Sequence, residues 1–198
     1  MVLFLLVENR EAVILNLGSG GNLRPECVNV DELPFADLQY DLSKFPWPWA
    51  ANSVDGIYAS HIMEHIQDQE YFIDECRRIL KTGGFLRLNL PHSSSVSSIG
   101  CIGHYRTYSY SSITDYLDRE GFYLCPERRF ETTYQRLNWW YEKVASNDGQ
   151  VAEWQLPIIK SLDYVLSRLA NLSPKLCENL WCYWVGGFRE VIWEGVKT

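Results

Sequence analysis

A glycine turn followed by an acidic residue is the pattern in this sequence best suited to holding a nucleoside. The apolar run 14–17 ends in a Gly-Ser-Gly turn at 18–20, and a second apolar run, 28–30, ends in Asp31. Glycine lets the backbone approach a ligand because it has no Cβ. A carboxylate at the next strand tip can bind both ribose hydroxyls. These residues predict a nucleoside cofactor at the carboxyl edge of an α/β sheet.

Two other nucleotide motifs fit the same turn less well. The dinucleotide pattern G-x-G-x-x-G needs a glycine where Leu23 stands, and no Gly-Lys-Ser/Thr ending supports a Walker-type phosphate loop. A nicotinamide oxidoreductase is therefore the weaker interpretation. Taken by itself, the turn is equally consistent with an ordinary tight turn.

Histidine and acidic residues follow the strand predicted at 54–59. His61, Glu64 and His65 have the spacing H-x-x-E-H, which binds a metal when it lies on a helix with further ligands. No third ligand is evident nearby in the sequence, so we expect no metal site. The favoured interpretation is that His61 faces the cofactor crevice, while Glu64 and His65 hold the following turn.

The elements that must position these residues alternate between strand and helix. The pattern predicts strands at 13–17, 27–31, 37–42, 54–59, 85–90, 122–130 and 183–193, with helices at 68–80 and from 111 or 112 to 120. Residues from about 132 to 181 are helical by pattern. The first two strands lie too close for the usual crossover helix. Either that helix is reduced to a loop or a single turn, or the strands are not joined in the usual way.

Composition is consistent with one globular domain spanning 1–198. Hydrophobic residues make up 46% and charged residues 22% of the chain, and the net charge of -7 argues against a nucleic-acid-binding protein. No segment has the length of a membrane span. Because the six cysteines form no C-x-x-C pair, we expect reduced thiols and a cytoplasmic location.

The ordered motifs resemble those of a known enzyme family. The matching stretches are LNLGSGG, VNVDEL, YDLSKFPWP, NSVDGIYASHIMEHI, ECRRILKTGGFLRLNLP and LDREGF. They resemble a class I S-adenosylmethionine-dependent methyltransferase of the methyltransferase 11 type. The chain is particularly similar to short methyltransferases associated with glycan biosynthesis. The resemblance implies a Rossmann-like, mostly parallel seven-stranded sheet with an antiparallel last strand, a shortened first crossover and a helical insertion at about 132–181.

The resemblance also implies roles for individual residues. The cofactor would be S-adenosyl-L-methionine, bound by residues at the strand tips, namely Asn16, Gly18, Ser19, Gly20, Asp31, Glu32, Asp41, Leu42, Ser60 and His61. Asp31 would bind the ribose, and Asp41 with the Leu42 amide would recognise adenine. Asn16 and Asn22 replace an acid and a glycine of the family pattern.

Methyl transfer to a hydroxyl requires alignment of the acceptor and benefits from a base. The candidate bases are His61, His92 and His104, each of which is also explained by a structural role. Tyr105, Arg106 and Tyr108 are the candidate acceptor-binding residues, although Arg106 and Tyr108 could instead pack against the next helix.

We therefore expect an O-methyltransferase acting on a small molecule, such as a sugar or a glycan precursor. The helical insertion is expected to cover the site or to form a homodimer. The alternative is a module that binds S-adenosylmethionine without turnover.

Overall fold

The computed structural model describes residues 12–119, 129–139, 153–185 and 187–198. These residues form a seven-stranded sheet in the order β3-β2-β1-β4-β5-β7-β6. The strands are β1 (Ile14–Leu17), β2 (Val28–Asp31), β3 (Leu38–Gln39), β4 (Val54–Ser60), β5 (Leu80–Pro91), β6 (Phe130–Asn138) and β7 (Glu190–Lys197). The first five are parallel, and β7 runs antiparallel between β5 and β6. The predicted Rossmann-like fold is confirmed.

The helices that the structure describes all follow β4 in the chain. They are α1 (Gln69–Ile79), α2 (Val96–Ile99), α3 (Tyr110–Leu117), α4 (Leu156–Leu172) and α5 (Pro174–Leu180), with 3-10 turns at Met63–His65 and Glu153–Gln155. Asp68 caps α1, since its Oδ1 accepts a hydrogen bond from the Tyr71 amide at 3.1 Å. Phe72, Cys76 and Ile79 lie on the buried face of α1.

The helical insertion is shorter than the sequence pattern predicts. Residues 130–138 form β6, which pairs with β7, where the pattern predicted helix from 132. Thr132, Thr133 and Tyr134 favour a pleated strand, and this preference prevails over the helical spacing of Tyr134 and Leu137. The strand predicted at 122–130 lies outside the described residues except at its last two positions.

The last strand also begins later than predicted. Residues 183–185 lie in a turn, and β7 starts only at Glu190. Gly187 has a φ of 81°, and a Cβ there would lie 2.0 Å from the Ser94 carbonyl oxygen. The glycine therefore ends the turn against the loop after β5, and it does not form a bulge within a strand.

The connection between β1 and β2 is a loop. Residues 18–27 contain no helix, although β1 and β2 are parallel neighbours. Parallel strands normally need a crossover of a dozen or more residues, usually a helix. The short loop must therefore be held in place by contacts of its own.

The side chain of Asn29 supplies most of these contacts. Its Oδ1 accepts hydrogen bonds from Asn16 Nδ2 at 2.9 Å and from the Arg24 amide at 2.8 Å. Its Nδ2 donates to the Arg24 carbonyl at 3.1 Å and to Asp37 Oδ2 at 2.8 Å. Asn16 Nδ2 also donates to the Asn22 carbonyl at 2.9 Å. These bonds connect five residues, Asn16, Asn22, Arg24, Asn29 and Asp37. We call them the Asn29 network, which joins both ends of the loop to β1 and β2.

The insertion packs on the far edge of the sheet. Asn171 of α4 bonds both backbone groups of Leu137, accepting from its amide at 2.9 Å and donating to its carbonyl at 2.7 Å. Cys177 of α5 and Phe188 are fully buried in the same small core as Leu137. The opposite face of α4 leaves large apolar side chains exposed, namely Ile158, Leu162, Val165 and Leu169. Among the described helices, none has the length and hydropathy needed to cross a membrane.

The Asn29 network predicts a stability loss on truncation. Asn29→Ala leaves the Arg24 amide without its acceptor and Asn16 Nδ2 with one of its two acceptors, and a buried polar group without a partner costs about 1–3 kcal/mol. We expect a loss of about 2–4 kcal/mol in the free energy of unfolding, measured by urea denaturation. The matched control is Asn179→Ala on the exposed face of α5, expected within about 0.5 kcal/mol of the parent. Equal stability of the two variants would contradict the role assigned to Asn29.

Candidate cofactor and acceptor site

The strand register brings the predicted site residues to one edge of the sheet. Leu17 at the end of β1 pairs with Val30 of β2 and with Ala59 of β4. The residues that follow, Gly18, Asp31 and Ser60, therefore leave three neighbouring strands at the same edge. Ser60 in turn pairs with Asn89 of β5. Ligands of open α/β sheets bind at this carboxyl edge.

The glycine turn approaches both neighbouring strands. Gly18 has a φ of 63°, and a Cβ at this position would lie 2.6 Å from the side chain of Ile62. Gly20 has a φ of 47°, but a Cβ there would meet nothing within 4 Å. Gly18 is thus required by packing and backbone conformation, whereas Gly20 borders open space. Ser19 between them is buried, and its Oγ has no hydrogen-bond partner among the described residues.

Asp31 is oriented by two backbone donors. Its Oδ2 accepts from the Gly20 amide at 2.8 Å, and its Oδ1 accepts from the Leu33 amide at 3.1 Å. The side chain is half-buried. Because a carboxylate has about four acceptor positions, both oxygens retain capacity for hydroxyl donors such as those of ribose.

Asn16 and Glu32, two further candidate cofactor contacts, differ in how far they are exposed. Asn16 is 2% exposed and its amide donates within the Asn29 network. In the structure Asn16 lies beneath the turn and supports it, and its contact with the cofactor stays a prediction. Glu32 is exposed at the tip of β2, where its carbonyl accepts from Gln39 Nε2 at 2.6 Å.

Asp41 and Leu42 lie beyond the end of the short β3. The Ser43 hydroxyl donates to Asp41 Oδ1 at 2.6 Å, and Lys44 lies 3.3 Å from Oδ2. The hydrogen bond from Ser43 is the main reason that the pKa of Asp41 is lowered. Leu42 is buried, and its carbonyl accepts from the Trp47 indole at 3.1 Å. Adenine recognition by this pair stays a prediction.

His61 lies at the tip of β4 between two buried carboxylates. Its Nδ1 is 3.1 Å from Glu64 Oε1, and its Nε2 is 3.3 Å from Glu190 Oε2. The imidazole remains 32% exposed, whereas both glutamates are almost fully buried. Its backbone φ of 53° is unusual for a residue with a side chain. We call His61, Glu64 and Glu190 the carboxylate–histidine cluster.

The two carboxylates determine the charge of His61. Burial opposes the protonated imidazole, but the hydrogen bonds and charges of Glu190 and Glu64 outweigh it and raise the pKa of His61 to about 9. In the resting protein at neutral pH, His61 is therefore a cation and a hydrogen-bond donor.

Glu190 was not identified from the sequence. It begins β7, opposite Pro91 of β5 and Asn138 of β6, so it reaches the carboxyl edge of the sheet from an antiparallel strand. Its Oε1 accepts from Asn138 Nδ2 at 3.0 Å, and its Oε2 lies 3.5 Å from Asn89 Nδ2. Asn89 could have been found as the polar residue at the end of β5. Glu190 carries no local signal, because only strand pairing brings it to His61.

His92 occupies a structural position. It is 1% exposed, and its Nδ1 accepts from the Ser94 amide at 3.1 Å, which leaves the proton on Nε2. Nε2 then donates to Glu178 of α5 at 2.8 Å. The imidazole thus joins the loop after β5 to the helical insertion, and a catalytic role for His92 stays a prediction.

The remaining predicted residues lie in the loop 100–108, and they differ in burial. Tyr105 and Arg106 are exposed, and the Tyr105 amide donates to the Glu64 carbonyl at 2.8 Å. Tyr108 is 6% exposed and belongs to the main core, as the packing alternative predicts, and its contact with the acceptor stays a prediction. Burial also raises the pKa of the Tyr108 hydroxyl. His104 is half-buried, with its Nδ1 3.1 Å from the Ser98 carbonyl.

Comparison with known proteins gives a family match over the part of the chain that carries the glycine turn. Residues 11–88 match the model of a family described as "Methyltransferase domain". A curated relative from Mycolicibacterium smegmatis, named as a probable S-adenosylmethionine-dependent methyltransferase, is 30% identical over 94 residues. That match covers 45% of this chain and 36% of the relative, so the chain spans about a third of the relative's length.

Solved structures agree on the fold across the whole sheet. An S-adenosylmethionine-dependent methyltransferase from Archaeoglobus fulgidus superposes with a TM-score of 0.57 at 12% identity, covering 99% of this chain and 90% of that chain. The [4+2]-cyclase SpnF superposes with a TM-score of 0.53 at 13% identity, covering 96% and 77%. At these identities the likeness concerns the fold alone.

The carboxylate–histidine cluster predicts a measurable pKa change. Glu190→Gln removes one of the two charges that favour the imidazolium, so the pKa of His61 should fall from about 9 towards its ordinary value of 6.5. The measurement is an NMR titration of the four histidine ring signals. Glu26→Gln on the exposed glycine loop is the control and should leave the titration unchanged. A His61 signal with the same midpoint in both variants would contradict the cluster.

The residues at the carboxyl edge fit a nucleoside cofactor. The open space beside Gly20, the buried Ser19 hydroxyl without a partner among the described residues and the oriented Asp31 carboxylate offer the contacts it needs. Residues 11–88 match a methyltransferase domain, and this match together with the strand order implies S-adenosylmethionine as the cofactor at this edge.

Proposed function

We propose that this chain transfers a methyl group from S-adenosylmethionine to an oxygen of a small-molecule acceptor, such as a sugar hydroxyl. The observation that carries the proposal is the shared sheet edge. The Gly20–Asp31 contact stands at one end of that edge and the carboxylate–histidine cluster at the other. The first suits the nucleoside of the cofactor, and the second suits the reacting end.

The chain's own residues would bind and align the reactants. S-adenosylmethionine supplies an activated methyl group when bound. Asp31 would hold the ribose, and the turn at Gly18 and Gly20 would let the cofactor lie against the backbone. Ser60 and His61 at the tip of β4 would border the methyl group and the acceptor. Alignment of the acceptor for in-line attack accounts for most of the catalysis in this proposal.

The net negative charge of the carboxylate–histidine cluster favours a positively charged methyl donor and a polar acceptor. Glu64 and Glu190 carry two negative charges against at most one positive charge on His61, so the cluster is net negative in either state of the imidazole. A negative cluster favours the sulfonium of the cofactor. Both ring nitrogens of His61 face these carboxylates, and the 32% exposed ring would border the acceptor. As the methyl group passed from the sulfonium to the acceptor oxygen, a carboxylate of this cluster or water would take the hydroxyl proton.

The proposed acceptor class, homodimer and cytoplasmic location each rest on a separate observation. A sugar acceptor rests on the polar cluster and on the resemblance to glycan-associated methyltransferases in the motifs; the relatives reported above do not name a glycan. Homodimer formation rests on the exposed apolar side chains of α4. A cytoplasmic location rests on the free thiols of the five described cysteines.

A second candidate is a cofactor-binding module without methyl transfer. Asn16 replaces the family's acid and is committed to the Asn29 network, and the crossover helix is absent from residues 18–27. A [4+2]-cyclase has the same fold, so the fold alone does not require methyl transfer.

Cofactor binding is tested with Asp31. Asp31→Ala removes the carboxylate that both orients the glycine turn and would accept the ribose hydroxyls. We expect calorimetry with S-adenosylhomocysteine to show at least a tenfold loss of affinity, about 1.4 kcal/mol. Glu26→Gln is the matched control, because it removes an exposed charge from the same loop. Absence of binding by the parent chain at millimolar cofactor would exclude both candidate functions.

Methyl transfer is tested with His61. The assay follows S-adenosylhomocysteine release with a panel of sugar phosphates and nucleoside diphosphate sugars. We expect His61→Gln to bind the cofactor within about threefold of the parent but to lose about 100-fold in rate, the range for a missing proton-transfer or aligning group. Glu26→Gln should keep the parent rate. Tight cofactor binding by the parent with no product from any acceptor would favour the module without turnover.

A further inference from the structure

We propose that Glu64, His65 and His104 form a binding site for a divalent transition-metal ion such as zinc. One ligand atom from each of the three residues lies within 4.8 Å of the others. Glu64 and His65 belong to the 3-10 turn after β4, and His104 lies in the loop between α2 and α3. A third ligand for His65 is not evident from sequence spacing, because His104 lies 39 positions along the chain and only the fold brings it close.

The two imidazoles are held in the tautomer that metal binding requires. His65 Nδ1 lies 3.2 Å from the Gly103 carbonyl, and His104 Nδ1 lies 3.1 Å from the Ser98 carbonyl. A carbonyl oxygen only accepts, so Nδ1 carries the proton in both rings and Nε2 keeps its lone pair. Metal-binding histidines usually donate their other ring N–H to a carbonyl or carboxylate in this way. The rings contact each other edge to face, with centroids 4.8 Å apart.

Glu64 provides a carboxylate oxygen with no other role. The residue is fully buried, and its Oε1 is bonded to His61. Its Oε2 is buried and has no hydrogen-bond partner among the described residues. A buried carboxylate oxygen without a partner is unfavourable unless an ion or a hydrogen-bond donor approaches it. A cation between Glu64 and the two imidazoles would satisfy it.

Backbone contacts already join the two segments that carry the ligands. The Tyr105 amide donates to the Glu64 carbonyl at 2.8 Å, beside the bond from His65 to Gly103. Zinc at about 2.0–2.1 Å from each ligand places the ligand atoms about 3.3 Å apart. The present separations of up to 4.8 Å therefore require a small inward rotation of the side chains. His65 is exposed and His104 half-buried, so both have room to rotate.

The donor set determines the class of ion. Two imidazole nitrogens and one carboxylate suit zinc and other first-row divalent ions, whereas calcium and magnesium prefer oxygen ligands alone. Three protein ligands leave a coordination position open, as in catalytic zinc sites. Glu64 also bonds His61 through Oε1, which links this site to the carboxylate–histidine cluster. If the proposed methyl transfer holds, the open position would suit a hydroxyl or carboxylate oxygen of the acceptor.

The experiment is zinc binding to the full chain after removal of metals with a chelator. We expect one equivalent of zinc by equilibrium dialysis with metal analysis, and the visible absorption of a tetrahedral site when cobalt(II) is used as the probe. His65→Ala and His104→Ala should each weaken zinc binding at least tenfold. Zinc should raise the melting temperature of the parent but not of either variant, and the metal-free melting temperatures should agree.

Cys101→Ser is the matched control, because Cys101 carries an exposed thiol, a group able to bind zinc, in the same loop as His104. It should bind zinc like the parent. The proposal is overturned if the parent shows no saturable zinc site, if both histidine variants bind like the parent, or if Cys101→Ser loses the site. Binding of S-adenosylhomocysteine, measured separately on the metal-free chain, reports on the proposed function, so the two can fail independently.

Discussion

The hydrogen bonds of Asn29 are the constraint on which the cofactor edge of this protein depends. Parallel neighbours such as β1 and β2 are ordinarily separated by a helix, whose packing fixes the loop that precedes it. Here residues 18–27 have no helix to pack. One buried amide bonds Asn16, Arg24 and Asp37 and thereby links the two strands, the loop and the segment before β3. The Gly20–Asp31 contact follows from this arrangement, because the turn can reach Asp31 only when both ends of the loop are held.

A second set of contacts joins His61 and His92, at the carboxyl edge of the sheet, to residues near the end of the chain. Glu190 begins β7 and bonds His61 at the tip of β4, so formation of the cluster requires the antiparallel strand. Glu178 of α5 bonds His92, so the helical insertion holds the loop after β5. The segment beyond the family match at residues 11–88 therefore contributes one carboxylate of the carboxylate–histidine cluster and supports the loop after β5.

The sequence predicted the features that depend on local pattern. The glycine turn, Asp31 and the fold class follow from apolar runs that end in short polar motifs, and strand pairing then places them together. The burial of His92 and Tyr108 could not be predicted, because it depends on Glu178 and on core residues far away in the chain. Strand β6 was predicted as helix since Tyr134 and Leu137 happen to have helical spacing, whereas pairing with β7 determines the strand. Glu190 and the proximity of His104 to His65 are products of the tertiary fold alone.

The central claim is that a preformed loop at 18–27, held by Asn29, receives the cofactor against Asp31. The most direct test is amide hydrogen exchange of the chain with and without S-adenosylhomocysteine. The Gly20 and Leu33 amides donate to Asp31, so they should already be protected in the free chain and become slower on cofactor addition, while amides of α4 at Leu156–Leu172 stay unchanged. Rapid exchange of both amides in the free chain, or cofactor protection confined to residues outside this edge, would contradict the account.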